Sequence, residues 1–320
     1  MQDPFFSSPL ISVLAVLGGL VLLVGGGETL VGGATRLAKR WGMSPLVIGL
    51  TIVAFGTSVP ELFVSLTASL QNHPDIMIGN VVGSNIANVG LILGISSIIM
   101  PLTLPLREVW TELLLVVGGS VILIIATGYG HFPRSLGLLF TLALVSYTTL
   151  IYRSHLGNGD SSATQEKCGN ISSASLLVPL ALICTGLILL AGGSNLFING
   201  AVDLARYFGI SELIIGLTMA AIGTSLPELA SSISALRRNE SGLLIGNVIG
   251  SNMFNLFMVL GLTGIIKPFA LSPELLLRDL PVMLGFTFIL IPILHRHGGT
   301  NRWYGLLFLL GYIVYCLSLI

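Results

Sequence analysis

The chain has 320 residues, of which 53% are hydrophobic and only 9% charged, and its 14 basic side chains balance 14 acidic ones. A soluble globular domain carries about 25% charged residues, so the composition excludes one and describes an all-α integral membrane protein. A membrane crossing needs about 20 largely apolar residues, and counted that way the chain is expected to cross ten times.

The first span is expected near 9–34. The residues before it, MQDPFFSSPL, lack the basic start of a cleavable signal peptide, and the apolar stretch is too long for one, so it reads as a retained helix. Spans follow near 44–70, 76–100, 108–127 and 134–152. A polar Gly/Ser/Asn-rich stretch over 153–173 reads as a linker between halves. Five more spans are expected near 174–201, 211–236, 241–266, 274–294 and 302–320. The chain thus divides into 1–152, a linker over 153–173, and 174–320.

With the N-terminus outside, the inner loops hold ten basic residues, Arg36, Lys39, Arg40, Arg107, Arg153, Lys167, Arg237, Arg238, Arg296 and Arg302. The outer side holds four, Arg134, Arg206, Lys267 and Arg278. The positive-inside rule then puts both termini outside the cytoplasm, in the inner (cell) membrane. Cys168, Cys184 and Cys316 are too scattered for a disulfide framework or a metal cluster. The five histidines fall in or beside loops, which leaves no imidazole at membrane depth and weakens any hydrolase reading.

The second span contains AFGTSVPELF over 54–63, a proline and a carboxylate in an otherwise apolar run, and 221–230 repeat it as AIGTSLPELA. The 46 residues from Gly49 align without a gap on those from Gly216, an offset of 167 (216 − 49), with 23 identities. This is a duplication. Five spans per half is an odd number, so the second half must enter the membrane inverted. Inverted repeats with interrupted helices meeting at the bilayer midplane recur among secondary transporters, although a channel or an intramembrane enzyme can also be duplicated.

Pro60 has no N–H and its ring opposes the carbonyl four residues back, so the helix should bend or open near Ala54 to Thr57. Freed carbonyls at that depth need a protein or polar-cavity partner. Thr57 and Glu61 share a helix face, joined by Ser58 three residues from Glu61. Downstream, GNVVGSNIAN places Ser84 and Asn88 four apart, with Gly79 and Gly83 as a GxxxG packing pattern. The duplicates are Thr224, Ser225, Glu228, Gly246, Gly250, Ser251 and Asn255.

Carboxylates, hydroxyls, amides and carbonyls form an all-oxygen set that suits Ca²⁺ and Na⁺, whereas zinc or copper would want His or Cys. A lone proline is ordinarily a kink, a lone Ser or Thr ordinarily bonds its own backbone, and GxxxG is ordinarily packing. Glu61 and Glu228 go beyond a buried strut because no buried Lys, Arg or His is expected beside them. Two carboxylates brought together repel unless a cation or proton neutralises them, and one Ca²⁺ or several Na⁺ could do so in turn. Glu28, whose repeat counterpart is Asn195, is expected to contact Arg36 at the helix end or act as a polar strut.

The paired G-T-S-x-P-E and G-N-x-x-G-S-N motifs resemble the alpha repeats of the calcium/cation antiporter superfamily, specifically its prokaryotic sodium/calcium exchanger branch, and the resemblance covers essentially the whole chain. It implies four ion sites around the two acidic residues. Glu61 and Glu228 would be ligands shared by Na⁺ and Ca²⁺, with Thr57 and Thr224 adding oxygens to the calcium site. Ser84 and Ser251, with the carbonyls of Ala54 and Ala221, would serve flanking sodium sites, and Asn88 and Asn255 would line the middle one. Some relatives carry Asp where this chain has Asn255. The resemblance also implies that the first and sixth helices, with Gly-rich faces at 25–27 and 192–194, slide across the remaining bundle.

The expectation is a Na⁺/Ca²⁺ antiporter rather than an enzyme, two inverted five-helix repeats with Ca²⁺ and Na⁺ as substrates. It calls for no cofactor, no nucleic acid and no partner beyond the lipid bilayer and the chain itself as a monomer. A Ca²⁺/H⁺ or K⁺-dependent exchanger is the alternative, then a passive cation channel, with an intramembrane protease last because the five Asp fall near span ends.

Overall fold

A computed structural model describes residues 5–6, 8–103, 105–157, 176–209 and 223–319. It is all-helical apart from four two-residue strands. We number the helices α1 (Pro9–Trp41), α2 (Pro45–Leu70), α3 (Pro74–Ile99), α4 (Trp110–Gly128), α5 (Arg134–Gly157), α6 (Leu177–Tyr207), α7 (Leu226–Arg237), α8 (Ser241–Ile266), α9 (Glu274–His297) and α10 (Arg302–Ser318). Among the described residues, all but α7 and α10 are long and apolar enough to cross a membrane, which makes eight. The molecule is therefore a multi-pass membrane protein. Of the seventh expected span, 211–222 lie outside the described residues, as does most of the linker over 153–173.

The long helices start and stop where local chemistry allows. Ser8 caps α1 by accepting from the Ile11 N–H at 3.4 Å, Pro9 occupies the first turn where no donor is missed, and Gly42 ends the helix at φ 64°. At about 1.5 Å per residue α1 is about 50 Å long, well beyond a hydrocarbon core of about 30 Å, so it tilts or projects. It runs past the expected end at 34 because Lys39 and Arg40 sit in its last turn, where the headgroup region accepts them.

Helices α1 and α6 pack against each other antiparallel along a seam of small residues seven apart. Ser12, Gly19, Gly26 and Gly33 meet Gly200, Gly193, Gly186 and Pro179 in that order. A Cβ on Gly19 would lie 2.6 Å from the Phe197 nitrogen, and one on Gly186 2.6 Å from the Leu30 nitrogen. The seam thus brings the backbones close over three heptad steps, and a methyl group at these positions would force them apart.

Burial orders the bundle. The most apolar stretch of α8 is wholly buried and that of α3 is 72% buried, against 33% for α1 and α6 and 22% for α5. The centre is therefore α3 and α8, with α1 and α6 as an outer pair. Strand β1 (Leu102–Thr103) pairs antiparallel with β4 (Gly299–Thr300) at one end of the bundle, and β2 (His131–Phe132) with β3 (Phe269–Ala270) at the other. Phe132 stacks on Phe269 at 5.0 Å, which ties the second pair to the core.

Candidate ion-binding site

In α2 the helix widens to π geometry over Gly49–Val53, resumes over Ala54–Thr57, breaks at Ser58, and restarts at Val59 with Pro60 in its first turn. Ser58 has φ −83° and ψ −1°, and its counterpart Ser225, just before α7, has φ −87° and ψ 3°. The break is the same in both copies because each proline lacks the N–H that would bond residue i−4. The i−4 residues, Gly56 and Gly223, are small for a separate reason. A Cβ on either would strike Leu187 or Ile198 of α6, at 2.6 and 2.7 Å.

In α3 and α8 the helix turns to π geometry at Asn88 and at Asn255, over six residues each. Such widened turns are frequent at functional sites because they re-aim side chains out of the regular ladder. Gly246 and Gly250 let α8 lie on the first half of α2, where Cβ atoms would meet the Leu46 oxygen at 2.4 Å and the Ala54 Cβ at 2.7 Å. The counterpart of that surface for Gly79 and Gly83, residues 213–221, lies outside the described residues.

Glu61 and Glu228 are completely buried, each in the first turn of the helix after its break, and their carboxyl groups lie close enough to interact. Around them the two halves interlock. The Thr57 hydroxyl, beside the Glu228 carboxyl, donates to Asn247 Oδ1 at 3.2 Å and lies 3.4 Å from the Ser251 hydroxyl. In the mirror arrangement Thr224 donates to Asn80 Oδ1 at 3.1 Å and lies 3.3 Å from the Ser84 hydroxyl. Asn88 donates to Asn252 Oδ1 at 2.9 Å. Each threonine is therefore surrounded by the polar face of the opposite half.

All four oxygens of Glu61 and Glu228 are buried without a hydrogen-bond partner among the described residues, as are the Ser58 and Ser225 hydroxyls and the side-chain oxygens of Asn88 and Asn255. An unpaired carboxylate in such a place costs several kcal/mol, and a cation or proton between the two is what offsets it. Among the described residues no cluster of three or more His, Cys, Asp or Glu occurs. The donor set is thus oxygen-only, with two carboxylates, and matches a hard cation.

The fold thus gathers Ala54, Thr57, Ser58, Glu61, Ser84, Asn88, Ser225, Glu228, Ser251 and Asn255 as buried groups and Thr224 as a half-buried one, while Ala221 lies outside the described residues. Ala54 O already accepts from the Ser58 N–H at 3.0 Å and faces the Thr57 hydroxyl at 3.4 Å. Sequence reasoning passed over Asn80, Asn247, Ser65 and Ser232. Asn80 donates to Ser65 at 2.9 Å and Asn247 to Ser232 at 3.4 Å. The available signal was their identity in both copies. Glu28 corrects an expectation. It pairs with Arg237 at 3.2 Å and Arg238 at 2.8 Å, not with Arg36, because α1 lies along α7 and brings those arginines to it.

The family model for "Sodium/calcium exchanger protein" matches residues 11–153 and again 178–320, the same displacement of 167 (178 − 11). The chain is 31% identical to the sodium/calcium exchanger MaX1 of Methanosarcina acetivorans, over 97% of this chain and 98% of that protein. It is 36% identical to the inner membrane protein YrbG of Escherichia coli, over 96% of each. A solved structure of the sodium-calcium exchanger NCX_Mj, soaked with Na⁺ and Sr²⁺, superposes with a TM-score of 0.82 at 33% identity, covering 98% of this chain and 100% of that one.

Proposed function

The chain belongs to the sodium/calcium exchanger family, transporters that exchange Ca²⁺ against other cations rather than enzymes, and from that premise we propose an antiporter that expels Ca²⁺ using inward Na⁺. The observation that carries this reading is the facing pair Glu61 and Glu228, buried with four unpartnered oxygens. Two negative charges are balanced by one Ca²⁺ or by Na⁺ ions, and occupancy by one excludes the other. Exclusive occupancy is what couples the two gradients.

In this reading Glu61 and Glu228 bind Ca²⁺ and Na⁺ in turn, with Thr57 and Thr224 adding oxygens to Ca²⁺. Ser84, Ser251 and the carbonyls of Ala54 and Ala221 serve Na⁺ on either side, Asn88 and Asn255 line the middle, and Ser58 and Ser225 supply further hydroxyls. If three Na⁺ enter per Ca²⁺, one net charge moves per cycle, and the membrane potential contributes about 2.3 kcal/mol per 100 mV.

The architecture we propose is ten spans in two inverted five-span repeats, 1–152 and 174–320, joined by a cytoplasmic linker, with both termini outside. Support for the inversion comes from the strands. The counterparts β1 and β3 lie at opposite ends of the bundle, since β1 pairs with β4 and β3 with β2. The antiparallel seam between the counterparts α1 and α6 supports it too. Alternating access is supported by unequal packing. Gly27 of α1 seats against Ala230 and Ser234 of α7, while among the described residues α6 makes no comparable packing on the second half of α2.

The test is ⁴⁵Ca²⁺ uptake by vesicles containing the purified protein and Na⁺, diluted into Na⁺-free buffer. Uptake that requires internal Na⁺ and is lost in Glu228→Gln is the expected result. Uptake that follows a pH gradient or needs K⁺ instead would install the proton-coupled or K⁺-dependent alternative. Ca²⁺ flux indifferent to any counter-ion would indicate a channel.

A further inference from the structure

We infer that Asn80 and Asn247 are positioning residues that aim the hydroxyls of Thr224 and Thr57 at the cation, each from the opposite half of the chain; the inference rests on the exchange reading above. A hydroxyl that ligates a cation must turn its hydrogen away from it. Something that can only accept has to take that hydrogen. At Thr224 the acceptor is Asn80 Oδ1 at 3.1 Å, and at Thr57 the nearer acceptor is Asn247 Oδ1 at 3.2 Å, the Ala54 carbonyl standing at 3.4 Å.

The amide orientations follow from their other partners. Asn80 Nδ2 faces the Glu61 carbonyl at 3.2 Å and Ser65 Oγ at 2.9 Å. A carbonyl only accepts, so the atom facing it must be the nitrogen, which turns Oδ1 to Thr224. Asn247 Nδ2 faces Ser231 Oγ at 3.1 Å and Ser232 Oγ at 3.4 Å. Ser231 already donates to the Glu228 carbonyl at 3.0 Å, so toward Asn247 it accepts, and Oδ1 is again left for the threonine. Asn80 is also bonded to the backbone of Glu61 itself, and Asn247 reaches that of Glu228 through Ser231. Each amide therefore links one half's carboxylate segment to the other half's threonine. Both amides are buried, 6% and 1% exposed, and the Thr57–Asn247 bond is buried at both ends, while the half-buried Thr224 leaves its bond to Asn80 partly open.

The experiment is a double-substitution cycle of Asn247→Leu with Thr57→Val, and independently of Asn80→Leu with Thr224→Val, read as the apparent KM for Ca²⁺ in Na⁺-loaded vesicles. Groups that orient metal ligands are typically worth about 10–100-fold in affinity. Asn247→Leu should therefore raise KM by about that factor, with the rate at saturating Ca²⁺ little changed. In the Thr57→Val background the same change should add little, because the hydroxyl it aims is gone. An unchanged KM, or factors that simply multiply in the double variant, would overturn the inference. If one asparagine variant does not fold, the cycle on the other half decides. The cycle can also be read by equilibrium ⁴⁵Ca²⁺ binding to the purified protein. Failure of Na⁺-driven uptake in the parent protein would then defeat the exchange reading while leaving this one to stand or fall by binding.

Discussion

The helix that carries Glu61 and the helix that carries Glu228 begin with the same break and nearly the same residues, yet they sit in different surroundings. Along α7, Ser231 and Ser234 are buried, while their counterparts in α2, Val64 and Thr67, are exposed. The cover is α1. Its Gly27 seats on Ala230 and Ser234, and its Glu28 holds Arg237 and Arg238. The corresponding residues of the other copy could not make this contact. Gly27 corresponds to Ser194, Glu28 to Asn195, Ala230 to the bulky Phe63, and the two arginines to Leu70 and Gln71. The duplicated chain has kept identity at the candidate ion site and diverged where the outer helices lie. The buried polar cluster is symmetric in this molecule, and its cover is not.

The largest expected effect tests the symmetric part. Glu61→Gln and Glu228→Gln should each lower Na⁺-dependent Ca²⁺ uptake by at least about 100-fold, since each removes half the charge facing a divalent ion in a low-dielectric site. A variant with near-parental uptake would break the equivalence of the two copies. Next comes the cover. A Cβ on Gly27 would lie 2.6 Å from Ser234 Oγ and 2.7 Å from the Ala230 carbonyl. Gly27→Val should therefore destabilise the protein by about 1–3 kcal/mol, read by thermal unfolding in detergent.

Gly25, two residues earlier, has nothing within 4 Å of a built Cβ. Gly25→Ala should leave stability unchanged or raise it by up to about 1 kcal/mol through helix propensity. The smallest effect belongs to the ion pairs. They are partly exposed, at 30% for the Glu28 side chain and 42% for that of Arg238, and such pairs are worth about 0–1 kcal/mol. In a background without native cysteines, Thr67→Cys should react with a polar maleimide faster than Ser234→Cys. Glu28→Gln should narrow that ratio by no more than about five-fold. Equal labelling in the parent would remove the asymmetry altogether.

Much of this was legible beforehand. Repetition at an offset of 167 marked Glu61, Glu228 and their neighbours, and the prolines marked that the helices break, because a missing N–H acts locally. The break falls at Ser58, however, and Ala54–Thr57, where the opening was expected, stay helical with the Ala54 carbonyl bonded to the Ser58 N–H. Asn80 and Asn247 lie in the repeated G-N-x-x-G-S-N motif, yet the motif alone gives them no role. Their role depends on which hydroxyl stands opposite, and that hydroxyl is 144 or 190 residues away. The Glu28 partner was misjudged for the same reason: Arg36 is near in the chain, while Arg237 and Arg238 are near only once α1 has crossed α7.

The sequence by itself determined a membrane protein, its internal duplication, and an oxygen-rich motif around two acidic residues, since composition, periodicity and backbone chemistry act within a few residues of themselves. Only the tertiary structure decided which threonine meets which asparagine, that the heptad glycines of α1 and α6 face one another, and that one carboxylate helix is covered while its twin is not. Those are outcomes of packing between distant segments, where a glycine or a charge matters through what lies across from it.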